Sequence, residues 1–443
     1  MNHIKSRLAI MNFLEFAVWG AYLTSLGQYL ASHGLRDSIG WFYSIQGIVS
    51  IFMPAIVGII ADRWIQAQRM LALCHLLGGA LMLAAGFYGL NAGDNPDFST
   101  LFILYGCSVA FFMPTIGLAN SVAYCALNRA GLDTIKTFPP IRTLGTVGFI
   151  CAMLVTNFAG FQSQPTQLIF SGILSFCLTA YAFTLPACPT DASNKSGGLV
   201  DALGLRAFAL FKNRQMAIFF IFSMLLGVAL QITNGFASPY IHSFGEVPEF
   251  ASCWGVHNAN ALISLSQMSE TLCILMIPFF LKRFGIKTVM LMAMSAWVLR
   301  FAFFGVGNPG NGVIFFIASM IVYGIAFDFF NVSGSLYVDQ QTDSGIRSSA
   351  QGLFMIMTNG IGATIGTLGA QAVVNNLVYS KPQGMEQITG WQDSWLIFAA
   401  YSAVVAILFA IIFRTPKRPI NKQDVKTSLA ETESQDGGGM TLI

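Results

Sequence analysis

Three carboxylates, Glu15, Glu270 and Asp328, stand inside long apolar runs. Asp328 is the sharpest case, set in IVYGIAFDFFNVSG between Ile321 and Gly334. An ionised acid at the centre of a bilayer costs about 2.5–3.5 kcal/mol on insertion scales, so one is kept there only where it faces protein or water. Each acid beyond the first has polar company at helical spacing. Gln267 lies one turn from Glu270, and Asn331 one turn from Asp328. Gln231 and Asn234 are a turn apart; Arg142, Thr146 and Phe149 share one helix face, as do Tyr323, Phe327 and Asn331. Lipid cannot satisfy amides, so these stripes must point inward. Together they outline a wet cavity lined with amides, carboxylates and aromatic rings. The chemistry that fits is proton loading and release, because dehydration favours the neutral form of an acid. Glu15, Glu270 and Asp328 are the proton-coupling candidates.

Covalent catalysis finds no support. HExxH, GxSxG and a Walker loop are missing. The eight cysteines are scattered through apolar runs with no CxxC pair or His/Cys cluster, so they read as small buried hydrophobes. The expectation is therefore a non-enzyme that needs no cofactor and no metal. The chain has no room for a soluble nucleotide-hydrolysing domain, which leaves an ion gradient as the energy source, or none. Other polar residues have plainer accounts. Gln46, Asn120 and Asn359 are equally explained by hydrogen bonds between helices. His75 and Arg300 read more readily as structural or interfacial groups. The glycine-rich run GIGATIGTLG, Gly360–Gly369, lacks nucleotide-loop spacing and reads as close helix packing through small residues. FMP occurs at Phe52–Pro54 and Phe112–Pro114 and marks helix bends.

The elements that must position these groups are membrane helices. Of 443 residues 55% are hydrophobic and 10% charged, with a mean hydropathy of +0.64. Soluble domains carry about 25% charged residues. The apolar stretches are about 20 residues long, enough to cross a hydrocarbon core of about 30 Å. They do not alternate as barrel strands do. Twelve spans are expected, near 8–30, 39–61, 70–91, 99–127, 133–161, 165–187, 215–240, 257–281, 286–306, 311–338, 347–377 and 391–414. Pro139-Pro140 should delay or kink the fifth.

Lys5, Arg7, Arg63, Arg69, Lys195, Arg206, Lys212, Arg214, Lys282, Arg283, Lys287 and the basic residues after Arg414 all fall on one side if the spans alternate. The positive-inside rule puts that side, with both termini, in the cytoplasm. The expected organisation is an N-terminal six-helix bundle (1–187), a cytoplasmic central loop with an amphipathic helix (188–214), a C-terminal six-helix bundle (215–414) and a disordered cytoplasmic tail (415–443). The halves echo each other: GIIADRWIQAQR ends the second span and FFLKRFGIKTV the eighth, each an apolar helix followed by a basic turn. Asp62, Arg63, Lys282 and Arg283 in those turns are candidates for a cytoplasmic gate. Two six-span halves with a repeated basic turn is the organisation of a parallel-repeat secondary transporter.

GxxADR at Gly58–Arg63 resembles the signature after the second span of the major facilitator superfamily. More specific stretches are FPPIRTLGTVGF (Phe138–Phe149), NRQMAIFFIFSMLLGVALQITNGF (Asn213–Phe236), IPFFLKRFGIKTVMLM (Ile277–Met292), SMIVYGIAFDFFNVSGS (Ser319–Ser335) and SAQGLFMIMTNG (Ser349–Gly360). On these the chain resembles, over nearly its full length, the bacterial nucleoside:proton symporters of that superfamily. The resemblance implies an all-α membrane fold of twelve helices in two pseudo-symmetric halves, working by alternating access in a bacterial inner membrane. It implies a central cavity holding one nucleoside through Arg142, Thr146, Phe149, Gln231, Asn234, Gln267, Glu270, Tyr323, Phe327 and Asp328, the residues the polar stripes single out. The partners expected are a nucleoside and a proton within membrane lipid, with no nucleic acid and with a single chain as the working unit. A proton-coupled carrier for sugars or drugs, or a non-transporting membrane receptor, are the alternatives. In one place the sequence departs from the family's pattern: Glu15 stands where glutamine is expected.

Overall fold

The computed structural model describes residues 2–188, 205–342 and 347–414. Most of the central loop, including the first part of its expected amphipathic stretch, and the whole tail 415–443 lie outside the described residues, as does the side chain of Asp62.

Ten helices are long and apolar enough to cross a membrane among the described residues. They cover ten of the twelve expected spans: α3 (Ile39–Arg63), α4 (Ala67–Ala92), α5 (Phe98–Arg129), α6 (Thr134–Phe158), the seventh-span pair α8 and α9, α11 (Ala259–Phe284), α12 (Ile286–Val306), α13 (Val313–Gln341), the broken eleventh span and α16 (Met385–Ile412). The sixth span is the shorter apolar helix α7, Thr166–Ala182. The first span is broken by a turn at residues 21–25, into α1 (Asn2–Gly20) and α2 (Leu26–Ser32). The seventh breaks at Gln231 into α8 (Arg214–Leu230) and α9 (Ile232–Ser243), and a short α10 (Trp254–His257) precedes α11. Spans one and seven hold the same place in the two halves, so their shared interruption is a mark of the repeat. The eleventh span passes through α14 (Arg347–Met355), a π-helical segment Ile356–Gly362, α15 (Ala363–Val374) and a second π segment Asn375–Tyr379. π segments concentrate at functional positions because one extra residue per turn re-aims the side chains.

Pro139 and Pro140 neither delay nor end α6, which starts at Thr134 and carries both within its second turn. They are its sixth and seventh residues, past the four N–H groups that have no helical partner, so each removes one i→i−4 donor while the helix continues through both. The described part of the central stretch, Leu205–Lys212, is a 3-10 helix rather than the α-helix that its apolar spacing suggested. Asp97 caps α5, accepting from the Thr100 N–H at 2.8 Å and the Thr100 hydroxyl at 3.0 Å, and the backbone donor holds its carboxyl below the usual carboxylate range.

Within the N-terminal half α1 packs on α6, and α4 on α5 and α7; within the C-terminal half α13 packs on α11 and α12, and α12 on α16. The glycine-rich run of the eleventh span behaves as close packing. A Cβ on Gly366 would fall 2.0 Å from the Val228 carbonyl oxygen, and one on Gly362 2.4 Å from that of Met224. In the same seam a Cβ on Gly227 would fall 2.3 Å from the Thr358 carbonyl oxygen. The eleventh span thus lies backbone to backbone on the seventh. Large apolar side chains such as Ile103, Leu275, Ile314 and Ile411 project outward, where only lipid suits them.

The two halves touch through α6 and α11 and through α3 and the eleventh span. Hydrogen bonds between them gather at one end of the bundle, the end away from the termini. Gln371 bonds the start of α3, Thr24 bonds Asn260, and Asn157 and Gln162 bond the start of α11.

Candidate functional site

The site sits between α6 of one half and α9, α11 and α13 of the other. α6 carries Arg142, Thr146 and Phe149 along one face. Phe149 is fully buried against Trp19, edge to face at 6.4 Å. The Arg142 guanidinium lies 3.8 Å over the Phe16 ring, which holds a long, mobile cation in one orientation. From there it is within electrostatic reach of Glu270 on α11. Arg142 belongs to the N-terminal half and Glu270 to the C-terminal half, so this interaction crosses from one half to the other.

Glu270 is 1% exposed, and both its carboxylate oxygens are buried without a hydrogen-bond partner. One turn earlier on the same helix, Gln267 buries an unpartnered Oε1. Asp328 and Glu270 both act electrostatically on Tyr323 and on Cys273, which places the two acids about one region. Tyr323 and Phe327 stack nearly parallel at 5.7 Å and 16°, as their four-residue spacing on α13 requires. Gln231 sits at the break between α8 and α9; its Oε1 accepts from Asn234 Nδ2 at 3.2 Å, while its own Nε2 is buried and unpartnered. Asn331 Nδ2 is likewise buried without a partner. Buried polar atoms are almost always hydrogen-bonded, and each one left over costs about 1–3 kcal/mol. A cluster of them, both donors and acceptors, beside two aligned rings is what a flat, heavily hydroxylated ligand would satisfy.

Arg300, which the sequence read as structural, belongs to this neighbourhood. Its guanidinium lies 4.3 Å from the Tyr323 ring and donates to the Ser319 carbonyl at 2.9 Å. A lone arginine in an apolar run carries no sign of which ring it will meet, so only packing could reveal this. Phe16 under Arg142 was equally hidden.

Glu15 has other company. Its Oε2 is 2.8 Å from His75 Nε2, and its Oε1 accepts from the Thr115 hydroxyl at 2.5 Å. His75 Nδ1 in turn meets Ser175 Oγ at 2.9 Å. These four residues tie α1, α4, α5 and α7 together inside the N-terminal half. His75 and its surroundings line a small internal cavity with Ser108, Phe112 and Ser171. Of the gate candidates, Arg63, Lys282 and Arg283 are exposed at the ends of α3 and α11, opposite the bonded end of the bundle, and Arg283 lies 6.0 Å over Phe284. Among the described residues no cluster of three or more His, Cys, Asp or Glu could hold a metal ion.

Residues 1–418 match the family described as Nucleoside H+ symporter. The chain is 47% identical to the xanthosine permease of Escherichia coli (strain K12) over 414 residues, covering 93% of this chain and 96% of that protein. It is 46% identical to the nucleoside permease NupG of the same organism over 415 residues, covering 93% and 96%. Its structure superposes on the crystal structure of nucleoside transporter NupG with a TM-score of 0.85 at 45% identity, over 94% of this chain and all of that one. A D-xylose–proton symporter matches at TM-score 0.65 and 14% identity over 92% of this chain and 97% of the other, which shows the shared fold alone. The fold is that of a major facilitator carrier, two pseudo-symmetric halves of six spans. Matched along residues 1–418 and by relatives over nearly its whole length, the chain belongs to the nucleoside H+ symporter family.

Proposed function

We propose that the cavity between α6, α9, α11 and α13 binds one nucleoside, and that the chain imports it with protons across a bacterial inner membrane. The observation that carries this reading is that Arg142 of one half and Glu270 of the other lie within electrostatic reach, beside unpartnered buried amides and two stacked rings. The base lies against Tyr323 and Phe327, with Phe149 bounding the opposite side. Gln231, Asn234 and Gln267, each both donor and acceptor, read the base edge. Asp328 accepts from ribose hydroxyls. Thr146, on the Arg142 face, adds a hydroxyl.

Glu270 is the coupling acid. Ionised, it attracts Arg142 and holds the halves together at the cavity; protonated, it releases that attraction. The proton thus acts on the contact that must change when the halves rock. Asp328 is the second titratable group of the cavity. Glu15, bonded to His75 and Thr115, holds the N-terminal half together rather than carrying the transported proton.

Both termini lie in the cytoplasm, as the basic turns require, so the bonded end of the bundle faces the periplasm and the cavity opens inward. Residues 1–187 and 215–414 are the moving bodies, the segment 188–214 joins them, and one chain is a complete transport unit. Asp62, Arg63, Lys282 and Arg283 meet when the cytoplasmic end closes.

The test is uptake of labelled uridine into proteoliposomes under an imposed inward proton gradient, with wild type and Glu270→Gln. Accumulation above equilibrium in wild type, lost in the variant while nucleoside exchange persists, supports the assignment. Equal uptake with and without the gradient overturns symport. No uridine uptake, or block by a disaccharide rather than by nucleosides, overturns the substrate.

A further inference from the structure

Two contacts at the bonded end have the same construction, and neither is part of the cavity. α3 begins at Ile39 and α11 at Ala259, and neither start is capped by a side chain of its own flanking residue. In both helices the second residue donates its free N–H to a glutamine from the opposite half. Gly40 N donates to Gln371 Oε1 at 2.6 Å; Asn260 N donates to Gln162 Oε1 at 3.0 Å. Each glutamine then donates its Nε2 back to a carbonyl just upstream of the helix it caps. Gln371 reaches Arg36 O at 3.0 Å, and Gln162 reaches His257 O at 3.1 Å. A second amide reinforces each: Asn375 Nδ2 reaches Asp37 O at 3.5 Å, and Asn157 Oδ1 accepts from Ala261 N at 3.1 Å.

The pairing follows the repeat. α3 and α11 are the second and eighth spans, and the glutamines come from the eleventh span and from the loop just after the fifth. Each half lends a glutamine to the helix start of the other, so the two caps exchange under the pseudo-twofold. The first N–H groups of a helix lack partners inside it, so they bond strongly to whatever acceptor is offered, and to water when none is. Such a bond can break and re-form at small cost, since the opened helix start is simply hydrated. Neutral amides suit that duty, because re-dehydrating them costs far less than re-burying an ion. Glycine at position 40 permits the approach: a Cβ there would fall 2.7 Å from the Thr367 carbonyl oxygen and 2.8 Å from Gln371 Cβ.

We propose that these reciprocal caps, Gln371 on the start of α3 and Gln162 with Asn157 on the start of α11, are the gate that closes this end of the cavity. The inference rests on the alternating-access reading above, though not on which membrane face the closed end meets. The two caps belong to one rigid-body motion, so they open together. Weakening either one raises the open population seen at both.

Hydrogen exchange on the full-length protein in lipid nanodiscs tests this, read at the Gly40 amide and at the Asn260 and Ala261 amides. Loss of a helix cap is worth about a factor of five in an opening equilibrium. Gln371→Ala, which keeps the Cβ that Gly40 packs on, is expected to speed exchange about fivefold at Gly40 and comparably at Asn260 and Ala261. Gln162→Ala is expected to do the same from the other side, so the test survives if one variant folds poorly. Unchanged exchange along α12 in either variant certifies that the rest of the chain is intact. Faster exchange confined to the mutated cap, or no change at either, overturns the proposal and leaves the contacts as local capping. The readout needs no substrate or gradient, so it fails independently of the uridine assay.

Discussion

At the scale of single residues, the cavity separates groups by what they can change. In the proposed mechanism Glu270 alters its charge, whereas the Tyr323 and Phe327 rings offer shape and stacking. Glu270→Gln is expected to keep nucleoside exchange across the membrane and to lose accumulation against a gradient, as measured by counterflow beside gradient-driven uptake. Phe327→Ala removes one of the two aligned rings; aromatic pairs are worth about 0.5–1.5 kcal/mol beyond area burial. The expected result is uridine binding weakened about tenfold, read from competition by unlabelled uridine, with the proton dependence of uptake unchanged. Glu15→Gln tests the contrary role. It removes the carboxylate partner of His75 while keeping hydrogen-bonding atoms in place, so gradient-driven accumulation should persist. Thermal stability should fall by about 1–3 kcal/mol, the cost of an imperfectly satisfied buried group. Lost coupling at normal stability would move the transported proton to Glu15.

At the scale of elements, one break and one seam do the positioning. The break between α8 and α9 falls at Gln231, whose Oε1 accepts from Asn234 Nδ2 one turn on while its Nε2 is left buried and unpartnered. The seam of the eleventh span on the seventh allows no side chain at Gly366, where a Cβ would meet Val228 O at 2.0 Å. Gly369, one turn along, faces open space: a Cβ there would meet nothing within 4 Å. Gly366→Ala is therefore expected to lower stability by about 1–3 kcal/mol through overpacking, and Gly369→Ala to change it by less than about 0.5 kcal/mol. Thermal melting of the purified variants in detergent distinguishes them; equal effects would mean that helix propensity, not the close approach, dominates.

At the scale of the whole molecule, the question is which end faces which compartment. Cys253 lies in the loop between the seventh and eighth spans, at the bonded end, and is partly exposed. With both termini in the cytoplasm, a membrane-impermeant maleimide added outside intact cells is expected to label Cys253, and Cys253→Ser to abolish that labelling. Labelling that requires lysed cells would invert the orientation. Cys107, Cys151 and Cys177 also have exposed surface, but they lie on membrane-spanning helices whose outward faces meet lipid.

Much of this was legible in the residue order, for a physical reason. Lipid admits only helices with satisfied backbones, so apolar length alone set the spans, and a buried carboxylate in such a run had to face protein or water. Polar spacing at three and four residues then grouped Arg142 with Thr146 and Phe149, and Tyr323 with Phe327. Spacing along one helix carries no information about its neighbours across space. That Arg142 comes within electrostatic reach of Glu270 from the other half, that Arg300 lies over Tyr323, and that Glu15 finds His75 at 2.8 Å depend on how α1, α4, α6, α11, α12 and α13 pack. The same holds for Gln162 and Gln371. Each lies near the end of an apolar stretch, where a glutamine is unremarked, and becomes a cap only because the opposite half brings a bare helix start to within hydrogen-bond distance. Local pattern decided what each helix could offer; the meeting of the two halves decided what each offer was used for.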